Sequence, residues 1–336
     1  MQALPEFVAL LQEVRPGAVV GELLGVGVTG PVVAIDDPEL GAGAAKAAVS
    51  PDFTHAQRAA MVAGEADKLQ RVAGPHTLRL LATYPQELVP FLITERLPVP
   101  SLLTLLDGTA GVGTAGGRPG AAGDAMAGRP ASSPAAVSAS LPPAEAAVAA
   151  PLPSAHAAVA ALLGVASALW SCHDAGLVHL DLKPRNVGVS AADRATLMDF
   201  GLARSRLAAG RHKLPAGTLP YSAPELVRVG DVGPHTDVWG WGLLAHILLA
   251  GGRYPGRRPA SWGELFRTGA VVPPPVAATR TDLPPGLAAV IDRAVAADAR
   301  ARPADGAALF GEVSAAAIAA WGEGWVNATP FRVVAP

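Results

Sequence analysis

A single cysteine, Cys172, occurs in the 336 residues. That excludes an intramolecular disulfide and a thiolate metal cluster, and it fits a reducing compartment. Charge of one sign is lacking too: 26 Lys and Arg against 28 Asp and Glu leave a formal net charge of −2. Such a balance points to neither nucleic acid nor an anionic membrane surface as partner. Aromatic residues make up only 5% of the chain, and alanine supplies much of its apolar half. Long apolar runs are missing as well. The most apolar stretch, Val238 to Gly252, is too short to span a bilayer and contains His246, so a buried core helix is expected there and no membrane span. Met1 to Arg15 lack the basic start and apolar run of a secretory signal, so a cytoplasmic location is expected. The eight histidines show no metal-ligand spacing, which argues against a zinc or haem enzyme. No internal repeats are visible.

What the chain has in excess is glycine and proline, 37 and 32 residues, more than a compact fold usually carries. Much of the excess falls between Gly108 and Pro153, a stretch of Ala, Gly, Pro and Ser with no aromatic residue and no lysine. It cannot bury enough apolar surface to offset its ordering entropy, so a disordered insertion between two helices is expected. The length leaves room for one large or two modest domains.

Before the insertion, the pattern alternates between helix and strand. Phe7, Leu10, Leu11 and Val14 have helical spacing over Leu4 to Val14. Gly25-Val26-Gly27-Val28-Thr29-Gly30 follows, flanked by Val19, Val20, Leu23 and Leu24 on one side and Val32, Val33 and Ile35 on the other. This reads as a glycine-rich hairpin whose backbone N–H groups can approach phosphates. A dinucleotide-binding unit would need a helix directly after the glycines, and Pro31 with its apolar followers argues for a strand instead. Asp36 to Gly43 reads as a turn and Ala44 to Val49 as the next strand. Lys46 stands alone there among small apolar residues; on the segment alone it is either a surface lysine or a phosphate ligand. Ala56 to Val72 is helical in pattern and carries Glu65, with Asp67 as a second acid that faces away from Leu69. Thr77 to Tyr84 reads as a strand, Phe91 to Pro98 as a strand and hinge, and Ser101 to Leu106 as the start of a helix.

After the insertion, Ser154 to Ala175 is a strong helix with a stripe of Ala161, Leu162, Val165, Leu169 and Cys172. It leads into His179-Leu180-Asp181-Leu182-Lys183-Pro184-Arg185-Asn186, and a short apolar hairpin then reaches Asp199-Phe200-Gly201. An Asp, a Lys, an Asn and a second Asp at these spacings suit phosphoryl transfer: one carboxylate accepts a hydroxyl proton, a cation steadies the migrating group, and an amide and a carboxylate hold magnesium. Gly217-Thr218, Tyr221, Ala223-Pro224-Glu225, Asp237-Val238-Trp239-Gly240 and Arg300-Ala301-Arg302-Pro303 complete the series.

In this order the motifs resemble those of the eukaryotic-type serine/threonine protein kinases, from about Gly25 to Arg302. The resemblance implies an α+β, two-lobed fold: a β-rich N-lobe with one main helix over residues 17–95, and a mostly helical C-lobe over 96–320 interrupted at 108–153. Residues 1–16 would be an extension and 321–336 a tail. It implies ATP and Mg2+ as cofactors and a protein substrate with a Ser or Thr acceptor. Asp181 would be the catalytic base and Lys183 the contact to the γ-phosphate. Leu24, Gly25, Gly27, Gly30 and Val32 would cover the nucleotide, Lys46 would pair its inner phosphates, and Glu65 would hold Lys46. Thr94 would guard the back of the pocket, and the backbone from Glu95 to Leu97 would meet adenine. Asn186 and Asp199 would bind the metal. Thr218 would bond near Asp181 and Lys183, and Glu225 would pair with Arg302.

Two positions depart from the family pattern. Leu180 stands where an Arg usually precedes the catalytic Asp, and Gly188 where a leucine usually lies under adenine. Without that Arg, activation-segment phosphorylation loses its central cation; Arg204, Arg206, Arg211 and Lys213 ride on the segment itself. The alternatives are a pseudokinase scaffold of the same fold and a small-molecule phosphotransferase resembling the aminoglycoside kinases, which generally lack Asp-Phe-Gly and Ala-Pro-Glu.

Overall fold

The computed structural model of the chain describes residues 3–27, 29–98, 101–102, 154–205, 218–228, 230–250, 252–255, 259 and 261–336. The expected insertion at 108–153 lies outside these residues. So do Val28, the continuation of the helix beginning at Ser101, and Arg206, Arg211, Lys213 and Gly217.

The N-terminal part is rich in β structure. Helix α1 (Ala3–Val14) precedes β1 (Val19–Val26), β2 (Pro31–Asp37), β3 (Gly41–Ala47), helix α2 (His55–Arg71), β4 (Leu80–Tyr84) and β5 (Phe91–Glu95). The strands form one antiparallel sheet in the order β1-β2-β3-β5-β4. Phe7 and Leu11 of α1 are fully buried with Val33, Ile35, Phe91 and Ile93, so the leading helix is part of the sheet's core. The turn between β2 and β3 is tighter than expected, three residues rather than eight, because Asp37 caps it by accepting from the N–H groups of Glu39 and Leu40. The strand expected from Thr77 starts only at Leu80. Thr77 forms instead an isolated parallel bridge with Leu197, its hydroxyl donating to Val72 O and accepting from Gly74 N. Thr54 and Gln57 close a reciprocal capping box on α2, which fixes where that helix begins.

The remainder is mostly helical. It comprises α3 (Ala155–Asp174), the short strands β6 (Leu177–Val178), β7 (Val187–Val189), β8 (Ala195–Leu197) and β9 (Arg204–Ser205), then α4 (Pro224–Val227), α5 (Pro234–Leu249), α6 (Trp262–Thr268), α7 (Pro285–Ala294) and α8 (Gly306–Trp321). Helix α3 is not the one-striped helix expected: it is buried on nearly every side, between α5, α8 and β8. Most of its off-stripe positions are Ala, Gly or Ser, small enough to admit neighbouring elements closely. By length and composition alone α3 could cross a membrane, but 83% of its most apolar window is buried inside the protein. A core helix passes the same test. Helix α5, the apolar run singled out above, is also buried, and Trp241 Nε1 donates to Leu162 O of α3 at 2.8 Å.

One buried polar group in this core gives a pH prediction. His246 of α5 is 5% exposed and its Nε2 lies 3.6 Å from Asp292 Oδ1 of α7. Burial pushes its pKa down from 6.5 to about 4, with Asp292 opposing. Between those values the unfolded chain binds a proton that the folded chain refuses, so stability is full above 6.5 and falls as pH drops towards 4. The loss amounts to roughly 3 kcal/mol, at about 1.4 kcal/mol per pK unit. Thermal melts of wild type and His246→Gln from pH 7 to pH 4.5 should show a shallower decline in the variant. Parallel declines would contradict this assignment.

Candidate active site

The second, shorter hairpin places the polar loop. Helix α3 ends at Asp174 and β6 carries the chain into His179 to Asn186, which is followed by β7 and β8 paired Val187 to Leu197. Met198 N then donates to Asn186 O at 2.9 Å, which sets Asp199 beside the loop. Asp237, at the start of α5, fixes the loop backbone. Its carboxylate accepts from His179 N at 2.7 Å, Leu180 N at 2.8 Å and His173 Nε2 at 2.9 Å. Burial opposes the charge on Asp237, but His173 and these N–H donors outweigh it and hold the carboxyl below its usual range. His173 takes a donor from Gly306 N on its other nitrogen, so its ring links α3, α5 and α8.

Leu180 has a φ of 66°, a left-handed conformation that costs a bulky residue about 1–2 kcal/mol. Its backbone bond to Asp237 and its burial with Val178, Leu226 and Val232 oppose that cost. Where an arginine was expected by family pattern, an apolar plug ties the loop to α4. The salt bridge below it is as expected: Arg302 forks onto Glu225 at 2.9 and 3.0 Å and lies over the Trp239 ring.

Asp181 is the centre of the loop. Its Oδ1 accepts from Thr218 Oγ1 at 2.7 Å, and its Oδ2 accepts from Lys183 Nζ at 2.6 Å and Asn186 Nδ2 at 3.0 Å. Lys183 also donates to Thr218 Oγ1 at 2.8 Å, closing the cluster. Asn186 spends its NH2 on Asp181, so its amide oxygen is the end left for a cation. Asp199, in the left-handed region at φ 63° with its side chain 44% exposed, adds a carboxylate next to it. Amide and carboxylate oxygens are hard donors of the kind Mg2+ takes, so these two residues fit that ion.

Lys46 connects this loop to the sheet. Its Nζ donates to both oxygens of Glu65, at 2.8 and 3.0 Å, and to Asp199 Oδ1 at 3.2 Å. Burial works against the Lys46 charge, but the two carboxylates prevail and raise its pKa. Burial likewise opposes the Asp199 charge, and Lys46 prevails to lower its pKa. Asp67, the competing acid, is exposed and pairs with Arg71. Lys46 is one member of a rung that runs Gly25, Val32, Lys46, Leu92 across β1, β2, β3 and β5. At the hairpin tip, Gly27 N donates to Gly30 O at 2.8 Å, and a Cβ on Gly30 would lie 2.6 Å from Ala47 O, so only glycine fits. Pro31 opens β2 opposite Val26, the one strand position where its missing N–H costs least. Leu24 remains 40% exposed beside the tip. Thr94 is buried between Ala44 and Leu80, Glu95 bonds to Arg79, and Leu97 follows half-buried. Ser101 Oγ then donates to Pro184 O at 3.1 Å, joining this connecting segment to the polar loop.

Sequence reasoning missed Lys68. Its Nζ donates to Phe200 O at 3.1 Å and Gly201 O at 3.2 Å, tying α2 to the Asp-Phe-Gly backbone. Its spacing of three from Glu65 on one helix face was a usable signal. Phe200 itself is fully buried, edge-on to His179.

Residues 148–261, about a third of the chain, match the family described as protein kinase domain. Among curated relatives, similarity is found to smooth-muscle myosin light chain kinase of Gallus gallus, 41% identical over 24% of this chain and 4% of the relative. It is found also to sperm motility kinase 3A of Mus musculus, 38% identical over 25% of this chain and 17% of the relative. Serine/threonine-protein kinase PknL of Mycobacterium tuberculosis is 42% identical over 26% of this chain and 22% of the relative. The chain thus covers less than a quarter of the length of each of these relatives. The matched segment holds the polar loop, with Lys46, Glu65 and Asp199 assembled around it, and over that segment the chain is similar to protein kinases.

Proposed function

We propose that the chain is a cytoplasmic, ATP-dependent kinase that moves the γ-phosphoryl group of Mg-ATP to a serine or threonine hydroxyl of a protein substrate. Residues 17–95 form its small lobe and 96–320 its large lobe, with the insertion at 108–153 inside the latter and 1–16 and 321–336 as flanking segments. The observation that carries the reading is that both halves of the machinery are assembled at once: Lys46 on Glu65 and Asp199, and Asp181 on Lys183, Thr218 and Asn186.

In this reading the acceptor hydroxyl donates to Asp181, which orients it and takes its proton as the oxygen attacks phosphorus. Lys183 turns from Asp181 to the γ-phosphate. Lys46, held by Glu65, meets the inner phosphates beneath Leu24, Gly25, Gly27, Gly30 and Val32, and Thr94 to Leu97 receive adenine. Asn186 and Asp199 hold Mg2+, which when bound neutralises charge on the phosphates. The experiment is incubation of the purified protein with Mg-ATP and a Ser/Thr peptide library, reading phosphate incorporation. Absence of metal-dependent incorporation would overturn the reading. It would favour instead a nucleotide-binding scaffold, for which Gly188, buried at mid-β7 without a side chain to floor the adenine site, is the supporting observation.

A prediction about control follows from Leu180. Its apolar cluster offers no cation to a phosphate on the segment after Asp199. Ser205, in β9 opposite Leu177, is the remaining hydroxyl on that segment before Tyr221 apart from Thr218, which is engaged by Asp181 and Lys183. Phosphatase-treated wild type and Ser205→Ala should keep initial rates within about threefold of untreated protein, because no order is lost with the phosphate. A tenfold fall in either, with circular dichroism unchanged, would contradict it.

A further inference from the structure

We propose that His76 is a positioning residue for Asp199 and that residues 329–334 form the strap that seats it. This rests on the role given above to Asp199 as a cation-holding carboxylate. His76 is fully buried in the turn between α2 and β4. Its ring bridges two segments far apart in sequence: Nδ1 lies 2.8 Å from Ala195 O on β8, and Nε2 accepts from Val334 N at 3.0 Å. That division of roles calls for a neutral ring with its proton on Nδ1. Gly164 of α3 makes room for the ring; a Cβ there would stand 2.8 Å from His76 Nδ1.

The backbone of the same turn grips β8. Leu197 N donates to His76 O at 2.8 Å and Leu78 N donates to Leu197 O at 2.9 Å. One residue beyond Leu197 is Met198, and the next is Asp199. The conformation of Asp199 is left-handed, uncommon for a non-glycine residue though open to Asp, and support from its flanks helps to hold it. Strand β8 supplies that support on the N-terminal side, and His76 holds β8 at both Ala195 and Leu197.

The strap is fastened at three points. Ser167 Oγ of α3, fully buried, donates to Val334 O at 2.7 Å. Arg332 N donates to Asp193 O at 2.8 Å in the turn between β7 and β8. Phe331 and Val333 pack on the main core. The segment therefore lies across α3, the β7–β8 turn and His76 together. Without Val334 N, a buried ring nitrogen loses its donor, and the turn that aims β8 loses one of its holds.

The test is Val334→Pro, which removes the donor N–H and keeps Phe331 and Val333, together with Ser167→Ala, which removes the hydroxyl that holds Val334 O. Each should lower the maximal rate of peptide phosphorylation about threefold to tenfold and raise the Mg2+ concentration for half-maximal rate by a similar factor, the range for one lost buried hydrogen bond. Hydrogen exchange at the amides of Leu78 and Leu197 should quicken. Unchanged Mg2+ dependence in both variants overturns the proposal, even if melting temperatures fall, because packing alone would then explain the strap. If the wild type transfers no phosphate, the proposed function fails, while exchange at Leu78 and Leu197 still decides whether the strap holds β8.

Discussion

Asp181→Asn should lower phosphoryl transfer by at least ~10²-fold, the lower end of what loss of a positioned general base costs. The change keeps the shape of the side chain and removes its charge and basicity. Asp181 sits among three donors: Thr218 Oγ1 at 2.7 Å, Lys183 Nζ at 2.6 Å and Asn186 Nδ2 at 3.0 Å. An asparagine offers one acceptor oxygen and an NH2, so one of those donors must turn away, and the freed Lys183 has no anion left in the cluster. Nucleotide binding should survive, since Lys46, Glu65 and the connecting segment at Thr94 to Leu97 are untouched. The measurement pairs initial rates on one peptide with nucleotide affinity by titration. Wild-type rates in the variant would remove Asp181 from the chemistry. Lost affinity together with lost rate would mean instead that the loop had collapsed.

The polar loop was legible because it is contiguous: its chemistry is written in eight neighbouring residues, and Asp237 holds their backbone. The Lys46–Glu65 pair was legible for a different reason. Helical spacing separated Glu65 from Asp67, and the structure puts Glu65 on Lys46 and Asp67 out with Arg71. Less legible were groups whose partners come from distant backbone. His76 is bound by Ala195 O and Val334 N, and His173 by Asp237 and Gly306 N; no side-chain pattern announces a carbonyl or an amide. The environment of helix α3 was hidden for a related reason. Its alanines read as weakly apolar in sequence, yet their small size is what lets α5, α8 and β8 approach on several sides. Leu180 was visible as a departure, but the cluster that accounts for it required Leu226 and Val232, brought in by α4 and the segment after it.

Lys46→Met should suppress turnover by ~10²-fold or more, the scale on which removal of a preorganised charge-stabilising group is felt. The loss is double. In the reading proposed above the ammonium leaves the phosphates, and Asp199 loses the cation that, against burial, does most to hold its carboxyl below the usual range. Glu65→Gln removes less. Lys46 keeps its contact with Asp199 at 3.2 Å, and Lys68 still ties α2 to the Phe200 and Gly201 carbonyls, so a loss of about tenfold is expected when a neutral amide replaces one partner of the pair. The double variant should match Lys46→Met alone, because without the ammonium Glu65 has nothing to steady. The implied coupling is about tenfold, or about 1.4 kcal/mol, within the range for residues in direct contact. Single-turnover rates of the four proteins at saturating Mg-ATP measure it. If the two losses multiply instead, Glu65 acts independently of Lys46. The 2.8 Å contact between them would then be a feature of the resting protein and not of the reacting one.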